Sequence, residues 1–491
     1  MQKKEQPIKI PISSFLSDNE NYLKQTVGLG VTFDVGIRTF TILRKKIDVT
    51  FVNGLCDSNY IIHILDELVD LNEGDIYTNS PMQLIENRLI HQQVNRISTM
   101  DDAILKVLSG LIVIFVDGET EAFEVDVRSY PGRTPTEPDT EKVVRGARDG
   151  FVENMIVNTA LIRRRIRDPR LRNEIIRVGE RSQSDICISY IQDVANLDLV
   201  KIIKQELQAI EIDGITMSDK TIEEFLVQQR FNPFPLIRYT ERPDVAANHL
   251  LEGHVLVICD TSPSVMITPT TFFHHVQHAE EFRQNPVVGT FQRWVRFLGI
   301  LFSLFLLPFW LVFVFDPTLL PPQLAFIGPN KVTHIPTFLQ IILVEIGLEF
   351  LRMASIHTPT ALSTSLGLIS AVLIGQIAIE VGLFVPEVIL YSAISVIGAY
   401  ATPSYELSLA NKITKILLIL FTAWLHEIGF IVGVTFLILF LASTKSLQTP
   451  YLWPFLPFDG GALMKIFIRP TISSLKIRPS IVRPQNRIRQ K

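Results

Sequence analysis

Cysteine is almost missing from this chain: Cys56, Cys187 and Cys259 stand far apart in 491 residues and never form a C-x-x-C pair. That excludes a disulfide framework and a thiolate zinc site. Residues 1–14 lack an apolar h-region and carry Lys3, Lys4 and Lys9. No cleaved secretory signal is expected, so the residues up to about 290 are expected to stay in the cytosol. Catalytic signatures are lacking too. There is no G-x-S-x-G, no H-E-x-x-H and no G-x-x-x-x-G-K-[ST], so neither a hydrolase nor an ATP-driven pump has its motif and no enzyme is expected. Gly28-x-Gly30 has no third glycine opening a helix, which removes the dinucleotide loop and leaves no cofactor to expect.

The scarcity that decides most is that of charge, and it is local. Residues 1–296 hold 33 Lys and Arg against 42 Asp and Glu, an ordinary soluble composition. Residues 297–441 hold only four bases and seven acids, and residues 442–491 hold nine bases against one acid, Asp459. A purely soluble protein is excluded. Phe297–Phe315 has 19 residues without a charge, enough to cross a hydrocarbon core of about 30 Å. Arg283, Arg293 and Arg296 precede it and no base follows until Lys331, which places the N-terminal region inside. Further apolar segments follow at Ile335–Met353, Ala361–Ile379, Pro386–Thr402 and Ile413–Leu441. Five simple crossings would put the basic tail outside, so one segment is expected to be re-entrant or the last to fold back on itself. The last carries Gly429 and Gly433 and reads as one tilted helix or two broken ones.

Ionisable groups inside these segments are the candidate functional residues. Glu345, Glu349 and Arg352 fall at i, i+4, i+7 on one helix face, Gln376 and Glu380 repeat the i, i+4 spacing, and Glu427 follows His426 in the last segment. Such groups are costly in lipid unless they pair or line water. An internal ion pair of Glu349 with Arg352 explains them as packing devices; a polar pathway for ions or small solutes explains why three segments each bring them. The six residues Glu345, Glu349, Arg352, Gln376, Glu380 and Glu427 are the pore-lining candidates.

The expected fold is an α/β cytosolic N-terminal region of two subdomains followed by an all-α multi-pass transmembrane bundle. Alternating β-branched runs in Val27–Asp57 predict two or three antiparallel strands, and helical spacing marks Asn59–Leu71, Pro81–His91 and Asp101–Ser109. Leu111–Val116 and Thr120–Val127 flank Asp117-Gly118 as a hairpin. A second set follows: a helix over Val152–Arg165, strands Leu171–Val178 and Ser184–Ile191, helices Leu197–Ile210 and Asp219–Gln229, and a strand pair at His254–Ile258 and Ser264–Ile267. The expected divisions are 1–128 and 151–292 for the two subdomains, 129–150 for a Pro/Gly-rich linker whose Pro131, Pro135 and Pro138 would orient them, 293–445 for the bundle and 446–491 for a basic cytosolic tail. Two further clusters gather guanidinium or imidazole groups within a few turns. The arginines between Arg163 and Arg172 resemble a nucleic-acid footprint, but Asp168, Glu174 and the acidic balance argue for a solvated face or subunit contact, and no nucleic acid is expected. His274, His278 and Glu281 share helical spacing; without a fuller motif they read as a juxtamembrane surface, and no metal is expected.

Longer blocks carry a resemblance. PTEPDTEKVVRGARDGFVENMIVNTALIRRRIRDPRLRNE (Pro135–Glu174), VLVICDTSPSVMITPTTFF (Val255–Phe273), EIGLEFLRMASI (Glu345–Ile356), GLISAVLIGQIAIEVGL (Gly367–Leu383), TPSYELSLANKITK (Thr402–Lys415) and PYLWPFLPFD (Pro450–Asp459) resemble the spore germination receptor A-subunit family of endospore formers. At the closing strand pair many receptor A subunits read Asp-Gly-Ser/Thr-Pro, where this chain has Cys259-Asp260-Thr261-Ser262-Pro263. The resemblance implies a multi-pass protein of the spore inner membrane with its N-terminal domain cytosolic. It also implies an ion-conducting homo-oligomer that works in the lipid bilayer with other spore membrane germination proteins. A cation-conducting channel subunit is the expected function; a non-conducting scaffold or receptor signalling subunit, or a secondary transporter, are the alternatives.

Overall fold

The computed structural model describes residues 9–71, 80–89, 94–130, 141, 145–227, 229–328, 335–357, 367 and 375–490. The chain forms two compact units: Met1–Gln228 with Tyr239–Pro269 and Ile472–Lys491, and Gln229–Arg238 with Thr270–Thr471.

The first unit contains two five-stranded sheets. In one, β1 (Val35–Ile42), β2 (Lys45–Val52), β3 (Val94–Ile97), β4 (Ile112–Val116) and β5 (Ala122–Val125) lie in the order β1-β2-β4-β5-β3, all pairs antiparallel. The β1–β2 turn falls at Leu43-Arg44, both with positive φ, as a two-residue hairpin requires. Every residue of β4 is buried because helices cover both faces. Val113 and Phe115 meet α1 (Leu16–Thr26) and α4 (Met100–Leu108) on one side. Ile112 and Ile114 meet α2 (Ser58–Val69) and α3 (Pro81–Arg88) on the other. The predicted Asp117-Gly118 turn is present, with Gly118 at φ 85°.

The second sheet has β6 (Leu171–Val178), β7 (Ser184–Ile191), β8 (Arg238–Thr240), β9 (Val255–Cys259) and β10 (Val265–Thr268) in the order β6-β7-β9-β10-β8. It packs on α5 (Met155–Arg165) and α8 (Pro243–Glu252) through Leu161, Ile162, Leu250, Ile258 and Ile267. The helices α6 (Leu197–Gln208) and α7 (Ser218–Val227) complete it. The two sheets share a buried polar contact. Asp34, at the mouth of β1, takes two hydrogen bonds from Arg163 of α5 (2.9 and 3.2 Å) and one from Asn173 of β6 (3.0 Å).

That contact corrects the reading of the arginine run as a solvated face at two positions, Arg163 and Arg172. Arg163 is fully buried and Arg172 nearly so, donating to the carbonyls of Thr26 and Val27 and to Gln192. Gly28, at φ 76°, leaves room for it, because a Cβ there would stand 2.6 Å from the Arg172 Nε. Arg164, Arg167 and Arg170 are exposed, and Arg170 bridges Asp168 and Asp193. Part of the C-terminal stretch is also engaged: Arg489 pairs with Glu252 at 3.1 Å, Arg478 donates to the Leu251 carbonyl, and Gln485 donates to Ala195. The prolines Pro131, Pro135 and Pro138 lie outside the described residues.

The second unit is helical: α9 (Phe272–Val276), α10 (Ala279–Arg283), α11 (Pro286–Phe315), α12 (Thr337–His357), the short α13 (Ala378–Glu380), α14 (Pro386–Tyr400), α15 (Tyr405–Ser443) and α16 (Gly460–Phe467). Two of these, α11 and α15, are long and apolar enough to cross a membrane. The segment expected at Ala361–Ile379 lies mostly outside the described residues.

Helix α15 is two helices. His426 has φ 54° and ψ −132°, far from helical values. Beyond it the chain reverses: a Cβ on Gly429 would run into the carbonyl of Phe421, and one on Gly433 would stand 2.8 Å from Leu418. Residues eight and fifteen apart would be far from one another in a straight helix rising 1.5 Å per residue. Here they pack in antiparallel fashion, and glycine permits that closeness. Of the two readings left open by the sequence, the broken one is the one observed.

Candidate functional site: an acid–base cluster among the apolar helices

Helices α11 and α14 run antiparallel at backbone contact. Gly398 meets Gly299 with no room for a side chain of its own, a Cβ on Gly299 would stand 3.3 Å from that of Ala401, and the Trp310 and Tyr391 rings lie 4.9 Å apart. Such an approach lets small polar side chains between them bond to backbone. Ser395 donates to the Ser303 carbonyl at 3.1 Å. Its Oγ in turn accepts from the Lys415 Nζ at 3.0 Å, and Lys415 pairs with Glu345 at 2.8 Å. One polar chain therefore runs through α12, α15, α14 and α11.

The pairs form a ladder because α12 and α15 are antiparallel. Glu345 faces Lys415 and, four residues on, Glu349 faces Lys412, three residues back. Helical rows of three and four residues put each set on one face. A third rung follows, where Arg352 covers the Tyr405 ring at 4.4 Å, a cation–π contact. Glu345 and Lys415 are 1% and 2% exposed. Beside them lies a cavity of about 30 Å³, lined in part by Glu345, Arg352, Asn411 and Lys415. Such a volume holds a water or two, and Asn411, which borders it, has an amide nitrogen with no hydrogen-bond partner among the described residues.

Three of the six candidates, Glu345, Glu349 and Arg352, thus meet at one site. The expected internal pair of Glu349 with Arg352 does not form; Lys412 takes the carboxylate instead. Gln376 and Glu380 are exposed and bond to one another at 3.3 Å. Glu427 is exposed beside the reversal at His426. Lys412, Lys415, Ser395, Ser303 and Asn411 were not singled out from sequence. Their signal was the i, i+3 spacing of Lys412 and Lys415 at the edge of an apolar run, the mirror of Glu345 and Glu349. Three of the four bases of residues 297–441 gather here, and the fourth, Lys331, lies outside the described residues. Gln340 was missed as well. It is fully buried, accepts from Val385 at 2.9 Å and so caps the start of α14.

His274, His278 and Glu281 do not share one helix, because the chain breaks between α9 and α10. His274 Nδ1 accepts from the Thr271 amide and His278 Nδ1 from the Glu280 amide, both as helix caps. Glu281 is paired with Arg293 and Arg296. Among the described residues no group of three ligands could hold a metal ion. Nearby, His275 is buried and its basicity is pushed down to about 3, by loss of hydration first and by the charge of Arg238 second.

Comparison with known proteins finds relatives along the whole chain. A 60% identity over 482 residues links it to stage V sporulation protein AF of Bacillus subtilis, covering 98% of both chains. Spore germination protein KA of the same organism is 29% identical over 495 residues, covering 100% of this chain and 90% of the relative. Spore germination protein B1, also from B. subtilis, is 28% identical over 499 residues, covering 98% and 100%. Among solved structures, the N-terminal domain of the A subunit of the Bacillus megaterium spore germinant receptor GerK3 matches 54% of this chain and 98% of that one, at 27% identity and a TM-score of 0.43. The sequence profile described as Bacillus/Clostridium GerA spore germination protein matches residues 21–481, and with the 60% identical relative it shows that this chain belongs to the GerA spore germination protein family.

Proposed function

We propose that this germination protein is an ion-conducting, multi-pass subunit of the spore inner membrane, with its N-terminal unit cytosolic, that assembles with copies of itself and with other germination proteins. The acid–base cluster of α12 and α15 lies in its conducting path. The observation that carries this reading is the collection of four charged side chains, Glu345, Arg352, Lys412 and Lys415, around a water-sized cavity inside an apolar helical unit, with Glu349 paired to Lys412 beside them. A helical anchor needs none, and each costs free energy in lipid. The fold-back at His426 supports the topology. Counted as two crossings, it raises the five apolar segments to six passes, which returns the basic C-terminal residues to the side of the N-terminal unit and satisfies the positive-inside rule.

In this arrangement the path is shut, because Glu345 and Lys415 neutralise each other away from bulk water. Conduction requires them to part and hydrate, so the pair is a gate whose two states the rest of the assembly biases. With two acids against three bases, the cluster does not by itself favour cations. Preference for cations falls to the exposed carboxylates Glu380 and Glu427, which neighbouring copies would bring into rings. Glu380→Gln in reconstituted vesicles is expected to lower cation over anion permeability; unchanged selectivity would remove Glu380 from the pore.

A second reading, a non-conducting scaffold, is favoured by the pairing of both acids, since an ion pair with a serine partner is also a packing device. It predicts vesicles with no flux for the parent chain and for every variant.

A further inference from the structure

The base of α11 is built around arginines that face inward. Arg293 pairs with the buried Glu281 at 2.6 Å and donates to the carbonyls of Lys465 and Ile466, each at 2.8 Å; Arg296 also reaches Glu281. Arg469 donates to the carbonyls of Gln284 (2.6 Å) and Phe282 (2.5 Å), and the Trp294 indole to that of Phe467 at 2.8 Å. The bonds from Arg293 and Trp294 take up the last carbonyls of α16, which its own backbone cannot satisfy, while Arg469 ties the residues after α16 to the end of α10; together they strap that helix along the first turns of α11.

With the charges turned in, the outer surface is apolar. Phe291 and Trp294 on α11 are 67% and 56% exposed, and Phe458 and Met464 beside and on α16 are 74% and 59% exposed. The exposed stripe of α11 starts at Val287, ten residues before the charge-free run begins at Phe297. From Val287 to Phe315 the helix rises about 42 Å at 1.5 Å per residue, longer than the hydrocarbon core of about 30 Å and matching the core plus headgroup layers. Tryptophan is enriched at that depth. Lys465 stays exposed between the apolar residues of α16.

We propose that α16 and the first turns of α11 form a docking surface for the headgroup layer of the bilayer, with Lys465 set to meet anionic lipid. The inference rests on α11 crossing the membrane. It replaces the expectation of a free basic tail from residue 446 with an interfacial helix. Two features favour lipid as the occupant: the patch continues the apolar stripe of a spanning helix, and its one exposed charge is a base, as phosphodiester headgroups require.

The test uses the full chain, with Cys56, Cys187 and Cys259 replaced by alanine, in vesicles of phosphatidylglycerol and phosphatidylcholine. Nitroxide labels are placed singly at Phe458, Met464, Phe302 in the α11 span and Met217 on the first unit. Labels at 458 and 464 are expected to be several-fold less accessible to an aqueous nickel chelate than at 217, and shallower in the bilayer than at 302. A deep label at 302 with 458 and 464 as open to the chelate as 217 overturns the docking surface and leaves the span standing. A label at 302 open to the chelate overturns both. Lys465→Glu is expected to reduce the shielding of 464 in mixed vesicles and leave it unchanged in phosphatidylcholine alone; equal effects in the two overturn the role assigned to anionic lipid.

Discussion

Replacing Arg163 by methionine keeps the length and apolar stem of the side chain and removes its charge, which makes it the sharpest probe of how the two sheets of the first unit hold together. The change deletes both hydrogen bonds from the guanidinium to Asp34 and those to the carbonyls of Asp168 and Leu171. Asp34, 1% exposed, keeps donors only from Thr32 and Asn173. Leaving one partner of a buried ion pair uncompensated costs about 3–5 kcal/mol, a large share of the roughly 5–15 kcal/mol by which folded proteins are stable. Asp34→Asn strands the guanidinium instead and should cost about as much as the lower end of that range. Because the two side chains share one contact, the double variant should fall short of the summed losses by about 2 kcal/mol. Urea unfolding of the full chain in detergent micelles, followed by pulse proteolysis of the first unit, gives all three values. Single variants within about 1 kcal/mol of the parent, or losses that simply add, would refute the buried lock and make the Arg163–Asp34 pair no stronger than a surface one.

Three further outcomes follow from particular contacts. Gly28→Ala puts a Cβ against the Arg172 Nε at a residue with φ 76°. It should destabilise the first unit by about 2–3 kcal/mol, read in the same urea experiment. Gly429→Val places a branched side chain on the Phe421 carbonyl at the fold-back, and should lower the thermal midpoint of the detergent-solubilised protein by an amount worth about 3 kcal/mol or more, whereas Ile428→Val on the exposed side should be near neutral. His275 has a folded-state basicity far below its unfolded value near 6.5. The unfolded chain therefore binds the extra proton as pH falls, so the stability is intact above about 6.5 and declines toward 3, with about 2 kcal/mol lost by pH 5. In His275→Phe that part of the pH dependence, measured by chemical denaturation between pH 5 and 8, should vanish.

Much of the first unit was legible in sequence because its signals are local. β6 and β7 match the predicted strands residue for residue, since their β-branched alternation is bounded by turn residues on both sides. Helix α8 was overlooked although Pro243 at its first turn and Gly253 at its end are the usual punctuation; β8, three residues long, offers too few positions to show a period. The arginine run was misread for a different reason. Its partner Asp34 lies 129 residues away, and nothing within a window around Arg163 distinguishes a buried guanidinium from a solvated one. The site shows the same division. Glu345, Glu349 and Arg352 announced themselves as charges inside an apolar stretch, but Lys412 and Lys415 sit where that stretch begins and read as an ordinary flank. Only the antiparallel packing of α12 on α15 reveals that the two sets are complementary. The reversal at His426 was half visible, through Gly429, Gly433 and the conflict between five crossings and a basic tail, yet the sharp turn falls on a histidine, a residue that rarely adopts such a conformation.

Flux through Glu345→Gln tests the central claim most directly. The substitution keeps the shape of the side chain and leaves Lys415 without its counter-charge. At a few ångströms and an effective dielectric near 20 an unbalanced unit charge acts on a passing cation with about 4 kcal/mol, more than the 1.4 kcal/mol that changes a rate tenfold. Vesicles reconstituted with the parent chain are predicted to pass potassium, and those with Glu345→Gln to pass it at least about tenfold more slowly, with the paired change Glu345→Gln/Lys415→Met restoring part of the flux. Equal potassium flux and equal selectivity in the parent and Glu345→Gln would contradict the placement of the cluster in the conducting path.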